Sequence, residues 1–420
     1  MINHPISLTC RVTALSAIVI AGTCLRSQPE DSTTQTWIAT WGASPIKIHT
    51  VPPTVVQVGI TGSVRFKIRA TVGGEKIRIN FSNELGEKSM TIGAATVALA
   101  ESDGLVAPDS IKPLAFDGSA QVTIPAGGAK LSDPIALHLP AGAEAFVSVY
   151  FPSEAKLTPW LFAIVPHLAD RDGTHLPVWL AARAIQVRSV VTRVDVLATR
   201  PALTIVALGD SITDNRSSFG GPTPWADHLA ERLHAHGGPP CGLVNAGISG
   251  NRLLASGVGS SGLQRFDRDV VAVPGVKFLI IALGINDITF TDVPYLPGEP
   301  SKVKSADDLI SAYQQLIARA HKKSIKIIGA TITPSKDPQS EIPGTHTPQK
   351  EAIRQAVNRW IRTSGAFDGI VDFDAAIRDP SDPERMLPKF DPGDHVHPND
   401  LGGWAMANVI DLSLFTTKAD

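Results

Sequence analysis

The sequence has few cysteines, little net charge and no apolar segment long enough to cross a bilayer. Its 420 residues include three cysteines, and 38 Lys and Arg nearly balance 40 Asp and Glu, for a net charge of −2. The lack of a basic surface excludes nucleic acid as a partner. The apolar stretch at residues 12–22 is too short for a membrane span, so we predict no stable one.

Metal-binding patterns are missing as well. No C-x-x-C or H-x-x-x-H spacing occurs in the sequence, so we predict no metal and no other cofactor. Cys10 and Cys24 fall in the N-terminal segment. Cys241 lies on a predicted strand, where we expect a small buried apolar residue.

The N-terminus has the pattern of a secretory signal peptide. Arg11 precedes the apolar residues 12–22, and a polar linker follows at 27–35. We predict a signal peptide at 1–26 and a secreted or periplasmic protein. Lipid anchoring at Cys24 is an alternative, which the threonine just before that cysteine disfavours.

Residues 36–199 are predicted to form an all-β domain. Residues 64–68 and 76–81 alternate apolar and polar side chains, and glycine-rich turns separate further short strands, which indicates a β-sandwich or jelly roll. Such a domain could bind carbohydrate, or it could be a rigid wall beside an active site. Trp37 and Trp41 could stack on a sugar, but we favour a structural role in the core or an interface.

Residues 200–420 are predicted to form an α/β domain. Buried strands at 203–208, 242–245, 277–283, 325–332 and 369–373 alternate with amphipathic helices at 223–236, 305–323, 348–364 and 400–410. This alternation indicates a parallel sheet with helices on both faces. Ser305 and Thr347 are predicted helix caps, and Gly365 a helix end.

Polar residues follow the strands of this sheet. Ser211 comes after the first strand and before a segment that looks helical, whose positive end would favour an oxyanion. Gly250 and Asn286, after the next two strands, are candidate donors to that oxyanion. Asp394 stands three residues before His397, a spacing that lets the carboxylate orient the imidazole. An isolated serine could instead merely cap a helix, and Gly247 is predicted to serve its turn.

Other polar residues near these positions have competing interpretations. His395 competes with His397 as the base and could otherwise line a pocket. Arg252 could contact substrate or pair with a surface carboxylate. Asp210 and Asp287 are predicted to cap loops or helices, and Asp287 is also a possible substrate-binding residue.

The four blocks at 209–211, 245–252, 283–288 and 391–400 resemble those of the SGNH hydrolase superfamily, also called GDSL esterases and lipases. The resemblance runs from residue 201 to the end and implies a flavodoxin-like three-layer fold. It implies that Ser211 is the nucleophile, that Asp394 and His397 complete a catalytic triad, and that the Ser211 and Gly250 N–H groups and the Asn286 amide form the oxyanion hole. Part of the sequence is also similar to a bacterial secreted subgroup, arylesterase-like or xylan-esterase-like, with an N-terminal β domain. This likeness rests on the opening with Trp37 and Trp41, the turn at 81–86 and the histidine-containing block at 394–399.

These observations predict a secreted serine esterase for short acyl groups such as acetyl, acting on small-molecule or polysaccharide esters, for example in plant walls. A lipase or lysophospholipase of the same superfamily is one alternative. A carbohydrate-binding protein with an inert hydrolase domain is another, of a different class.

Overall fold

The structure is a computed structural model that describes residues 35–46, 58–102, 104–214, 223–238, 240–292, 298–337 and 344–416, with only the backbone described at 161 and 162. The predicted signal peptide and, apart from Gln35, the predicted linker lie outside these residues. Cys10 and Cys24 lie outside them too. Among the described residues, no helix is both long and apolar enough to cross a membrane.

The N-terminal part of the described chain is built from strands. They are β1 (Thr36–Gly42), β2 (Val58–Arg69), β3 (Gly74–Asn83), β4 (Met90–Ile92), β5 (Ala94–Ser102), β6 (Leu105–Val106), β7 (Lys112–Pro113), β8 (Val122–Ile124), β9 (Gly128–Leu131), β10 (Ile135–Leu139), β11 (Glu144–Leu157), β12 (Pro159–Leu168), β13 (Arg183–Val187) and β14 (Val191–Ala198).

Twelve of these strands form two antiparallel sheets over a shared core, and β4 and β8 pair with each other in a separate two-stranded sheet. One has the order β1-β14-β3-β10 with β9 beside β3, and the other has the order β13-β12-β2-β11-β5-β6 with β7 beside β5. Apolar side chains from both sheets, such as Phe66 and Phe81, are buried together between them, because alternate residues of each strand face inward. Trp41 packs against this core, and the Arg78 guanidinium lies 4.3 Å from the Trp37 ring centre. Both indoles therefore have packing partners, in keeping with the structural interpretation.

The C-terminal part contains a parallel sheet and its helices. The strands are β15 (Leu203–Gly209), β16 (Cys241–Gly247), β17 (Val276–Ala282), β18 (Lys326–Ala330) and β19 (Gly369–Val371), followed by the short pair β20 (Arg378–Asp379) and β21 (Asp382–Met386). The helices are α1 (Trp225–Ala235), α2 (Gly262–Phe266), α3 (Ile285–Thr289), α4 (Ala306–His321), α5 (Pro348–Thr363), α6 (Phe373–Ile377) and α7 (Asp400–Asn408).

The strand order of the parallel sheet, β16-β15-β17-β18-β19, determines where a ligand can bind. The chain passes from β15 to β16 on one side and then returns to β17 on the other. From β17 the chain continues outward to β18 on that second side, so the loops that follow β15 and β17 diverge at the carboxyl edge of the sheet, where open α/β sheets bind ligands. Ser211 lies at this edge.

Every residue of β15 is buried, since both faces of the sheet are covered. Val206 and Leu208 join a core with α4 and α5, whereas Ile205 and Ala207 join a second core with α1 and α7. Cys241 is buried in this second core, and burial raises the pKa of its thiol to about 11. The thiol is therefore a poor nucleophile, as expected for a structural residue.

The two parts are in direct contact and belong to one compact unit, Thr34–Asp420. Ala43, just after β1, pairs with Asn245 at the edge of the parallel sheet. The Leu243 N–H donates to the Thr71 hydroxyl at 2.8 Å. In these contacts, residues of the β-rich part supply partners for backbone groups at the edge of the parallel sheet.

The helix signals agree with the structure. Thr347 caps α5 by accepting a hydrogen bond from the Lys350 N–H at 3.2 Å, and Pro348 is the first helical residue. Ser305 precedes α4, where its N–H donates to the Asp308 carboxylate at 2.9 Å in a capping box. Gly365 follows α5 with φ +67°, the left-handed conformation common after helix ends.

Candidate active site

Ser211 lies in a single tight turn at the end of β15. The Thr213 and Asp214 N–H groups donate to the Asp210 carbonyl at 3.1 and 2.8 Å, and the Ser211 residue is 9% exposed. The helix predicted at 223–236 is present as α1, which begins at Trp225, and residues 215–222 lie outside the described part of the chain. Stabilisation of an oxyanion at Ser211 by the positive end of a helix stays a prediction.

The serine is joined to a histidine and an aspartate from the far end of the chain. The Ser211 Oγ and His397 Nε2 atoms are 2.7 Å apart, and His397 Nδ1 is 2.7 Å from Asp394 Oδ2. Because Nδ1 donates to the carboxylate, Nε2 is left to accept the serine proton. The structure thus brings together the three residues predicted as a triad, whose catalytic roles stay predictions.

Asp394 is held as an anion. Its Oδ1 atom accepts hydrogen bonds from the His397 and Val396 N–H groups at 2.8 and 3.0 Å. Burial by itself would raise the pKa of Asp394, but the hydrogen bonds and charge of His397, with these backbone donors, hold the pKa well below its ordinary value. An ionised Asp394 stabilises the imidazolium that forms when His397 takes a proton.

Gly250 lies in the turn that follows β16. The Asn251 N–H donates to the Ile248 carbonyl at 3.0 Å, and Gly250 has φ +78°. A positive φ at the third position of a turn favours glycine, since a side chain would strain the backbone. The hydrogen bond of the turn does not use the Gly250 N–H, which agrees with its predicted role as an oxyanion donor.

Asn286 is in α3 and is 8% exposed. Its side-chain nitrogen donates to the Asn251 carbonyl at 3.0 Å, which ties the third block to the turn at Gly250. An amide nitrogen carries two hydrogens, so this contact uses one of them. The predicted role as an oxyanion donor requires the other.

Gly247 serves close packing, in line with its predicted structural role. A Cβ atom at this position would lie 2.4 Å from the Asp214 backbone nitrogen. The loops after β15 and β16 can approach each other only because this side chain is absent.

Two candidates for substrate binding are corrected by the structure. Both Asp287 oxygens accept backbone N–H groups, from Leu253 at 2.6 Å and Leu254 at 2.9 Å. Arg252 is 3% exposed and donates to the carbonyls of Ser256 and Glu299 at 2.7 and 2.8 Å. Asp287 thus holds loop backbone, in line with its predicted capping role, and both residues are almost fully buried, so neither is placed to bind substrate.

His395 forms a separate aspartate–histidine pair. Its Nδ1 is 2.5 Å from Asp391 Oδ2, its Nε2 is 3.7 Å from Asp337 Oδ1, and its backbone has φ +59°. The structure therefore favours His397 over His395 as the base. A role for His395 in the pocket wall stays a prediction.

A fully buried arginine was missed by the sequence analysis. Arg265 of α2 donates to the carbonyls of Gly209 and Ala246, at 2.9 and 2.6 Å, and to Asn251 Oδ1 at 3.1 Å. It also pairs with Asp269 at 2.9 Å. Burial lowers the pKa of Arg265 although Asp269 opposes this. Its neighbours in the sequence, such as Gln264 and Asp267, do not identify the partners of Arg265.

A second group missed from the sequence connects the β-rich part to the loops of the site. Arg188, between β13 and β14, pairs with Asp214 at 2.9 Å, and Asp214 accepts hydrogen bonds from Ser249. Asp214 lies three residues after Ser211, and Ser249 directly precedes Gly250.

Among the described residues, no group of three or more His, Cys, Asp or Glu side chains is arranged to hold a metal ion.

The sequence around this site matches a known family. Residues 207–405 match the model of the GDSL-like Lipase/Acylhydrolase family. These residues belong to the GDSL-like lipase/acylhydrolase family. The GDSL-like segment contains Ser211, Asp394 and His397, and it makes the chain a carboxylic ester hydrolase. No curated protein sequence matches the chain.

Solved structures similar to the chain cover about half of it. A GDSL-like lipase from Bacteroides thetaiotaomicron is 19% identical, with a TM-score of 0.36, over 50% of this chain and 87% of its own. An acetylxylan esterase from Geobacillus stearothermophilus is 21% identical, with a TM-score of 0.37, over 51% of this chain and 95% of its own. At these values the likeness carries no argument about the substrate of the GDSL-like segment.

Asp210 predicts a specific dependence of stability on pH. Burial raises the pKa of Asp210 to about 7, against the hydrogen bond from the Ile212 N–H, and the charge of Asp287 adds to the rise. The unfolded carboxyl has a pKa near 3.9. Between about pH 4 and 7 the folded state binds more protons than the unfolded state, so this group lowers the free energy of unfolding as pH rises.

We expect the free energy of unfolding of Asp210→Asn to fall less with rising pH than that of the wild type, because the amide cannot ionise. The difference between the two should be no more than about 4 kcal/mol between pH 4 and 7. Urea unfolding at pH 5 and pH 7.5 measures it. Asp307→Asn, at an exposed position of α4, is the control for loss of one negative charge. An equal decline in Asp210→Asn and the wild type would contradict the prediction.

The two histidines are predicted to differ in their effect on turnover. We expect His397→Asn to lower kcat for p-nitrophenyl acetate at least about a thousandfold, because it removes the base bonded to Ser211. His395→Asn is the matched control, since asparagine tolerates a positive φ, and it should stay within about tenfold of the wild type. The assignment of the base would be reversed if His395→Asn were the slower enzyme.

Proposed function

We propose that the protein is a secreted serine esterase that removes short acyl groups, acetyl in particular, through a Ser211–His397–Asp394 triad and an acyl-enzyme. The observation that carries the proposal is the unbroken hydrogen-bond path from Ser211 Oγ through both nitrogens of His397 to Asp394. This arrangement activates a hydroxyl as a nucleophile at neutral pH. The strand order 2-1-3-4-5, found in flavodoxin-like folds, supports a site at this sheet edge.

The first half of the reaction forms the acyl-enzyme. Ser211 Oγ attacks the ester carbonyl carbon while His397 Nε2 takes the hydroxyl proton, and the carbonyl oxygen becomes an oxyanion. The N–H groups of Ser211 and Gly250 and the second hydrogen of the Asn286 amide would stabilise this charge. The intermediate then expels the alcohol, which receives the proton from His397.

The second half releases the acid. Water attacks the acyl carbon as His397 removes one of its protons, and the resulting intermediate expels Ser211, which recovers that proton. Asp394 stays ionised throughout and keeps His397 oriented. No step in this sequence needs a metal or an organic cofactor.

The preference for short acyl groups is supported by charged side chains on the described parts of the loops that follow α3 and β18. Glu299 and Lys302 lie on the segment that Arg252 contacts, and Asp337 lies 3.7 Å from His395. These charges disfavour a continuous apolar channel of the kind a long acyl chain needs. The resemblance to xylan-esterase-like proteins supports a polysaccharide as the alcohol portion.

A lipase or lysophospholipase is the second candidate. The observation in its favour is the surface of α7, where Leu401 is 48% and Trp404 is 54% exposed, one turn of helix apart. This helix begins three residues after His397. An exposed apolar pair so close in sequence to the base could contact a lipid, but an exposed tryptophan also suits stacking on a sugar.

The proposal predicts how turnover varies with the ester and with Ser211. In a series of p-nitrophenyl esters from acetate to palmitate, we expect kcat/KM to be highest for the acetate. In parallel assays with acetylated xylan and with phospholipid, we expect release of acetate from the xylan. Ser211→Ala should abolish turnover, because the nucleophile is lost, with little change in the melting temperature.

Three outcomes would contradict this account. A maximum at long acyl chains with phospholipid hydrolysis would support the lipase candidate. Full activity in Ser211→Ala would exclude Ser211 as the nucleophile. Absence of ester hydrolysis together with xylan binding would favour a binding module with an inert hydrolase domain.

A further inference from the structure

Arg188 extends from the β-rich part into the loops around the catalytic serine. It is 7% exposed, and each of its three nitrogens donates to a different loop. Nε donates to the Ser44 carbonyl at 2.9 Å, Nη1 to Asp214 Oδ1 at 2.9 Å, and Nη2 to the Gly247 carbonyl at 3.1 Å. One rigid guanidinium thus fixes three segments relative to one another.

Asp214 transmits this contact to the predicted oxyanion hole. Its second oxygen, Oδ2, accepts hydrogen bonds from the Ser249 N–H at 3.0 Å and the Ser249 hydroxyl at 2.9 Å. The peptide between Ser249 and Gly250 carries the Gly250 N–H, so the anchor at Ser249 determines where that N–H points. Asp214 also closes the Ser211 turn through its N–H bond to Asp210.

We propose that Arg188 is a positioning residue for the oxyanion hole, and that the β-rich part completes the active site through it. The inference rests on the proposed function and assigns to the β-rich part a catalytic contribution instead of a separate binding role. Arg188 does not touch the ester. It acts through Asp214 and Ser249 on the direction of the Gly250 N–H.

The magnitude follows from the geometry that an oxyanion hole requires. Donors must lie about 2.7–3.1 Å from the developing oxyanion, and loss of one donor costs roughly 100- to 1000-fold in kcat. Misplacement of one donor costs less than its removal. We therefore expect loss of Arg188 to lower kcat by about 10- to 100-fold with little change in KM, since a positioned donor acts mainly on the transition state.

Removal of Arg188 has a second effect, which the experiment must separate from the first. The Asp214 side chain is 1% exposed, and a buried carboxylate left without its cation destabilises the fold. Arg188→Met combines both effects. The double variant Arg188→Met/Asp214→Asn removes both charges, so it should regain thermal stability while kcat stays at least tenfold below the wild type.

Arg188→Lys tests whether charge alone suffices. A lysine keeps the charge near Asp214, but its single nitrogen cannot serve Ser44, Asp214 and Gly247 in the fork geometry of a guanidinium. We expect a melting temperature close to that of the wild type and a kcat between those of the wild type and Arg188→Met.

The matched control is Arg69→Met. Arg69 also joins the β-rich part to the α/β part, through Glu231 of α1 at 3.0 Å, but both side chains are about half exposed and the pair does not contact the site loops. It should leave kcat unchanged. The measurements are kcat and KM for p-nitrophenyl acetate, the melting temperature, and the inhibition constant of a trifluoromethyl ketone, whose adduct with serine carries an oxyanion.

Across the Arg188 variants, we expect the inhibition constant of the ketone to rise in proportion to the loss of kcat. Wild-type kcat in Arg188→Lys and in the double variant would overturn the proposal, because Arg188 would then serve only to neutralise Asp214. Equal losses in Arg69→Met would overturn it too. If the wild type itself hydrolyses no ester, the proposed function fails, whereas an active wild type with active Arg188 variants refutes this inference alone.

Discussion

The buried guanidinium of Arg265 is the interaction on which the geometry of the site depends most. It donates to the carbonyl of Gly209, the last residue of β15, and to the carbonyl of Ala246, the last residue but one of β16. The loops of Ser211 and Gly250 follow these two strands. The Gly209 carbonyl also accepts the Ile248 N–H at 3.1 Å. Because one rigid guanidinium contacts both carbonyls, Arg265 fixes the spacing of two neighbouring strand ends.

Other buried charges extend this arrangement from loop to loop. Asp287 accepts the N–H groups of Leu253 and Leu254, and Asp214 connects the serine turn to Ser249. Each of these carboxylates is almost fully buried, and each uses its oxygens on groups from a different loop. Buried charges are tolerated when hydrogen bonds satisfy them, and they specify one arrangement because alternatives leave them unpaired. A catalytic site assembled from separate strand ends requires such rigidity.

Much of the fold follows from local sequence patterns. The apolar strand at 203–208 and the cap of α5 at Thr347 were predicted because neighbouring residues determine them. The close approach of Ser211, Asp394 and His397 was predicted because residues at the ends of parallel strands share one edge. The resemblance to known hydrolases identified them among other polar residues.

The remaining contacts depend on pairs far apart in the chain. Arg188 and Asp214 are separated by 26 residues and belong to different parts of the fold, and an arginine beside a strand does not specify its carboxylate. Arg252 and Asp287 were possible substrate-binding residues because they neighbour the predicted site, although burial gives them other partners.

The central claim is that Ser211 is a nucleophile activated by His397. Mass spectrometry of the protein after reaction with a fluorophosphonate measures this most directly, since the reagent forms a covalent bond with an activated serine. The account predicts one adduct, located on the peptide that contains Ser211, and a strongly reduced rate of labelling in His397→Asn. No adduct in the folded wild-type protein, or an adduct on another serine, would contradict it.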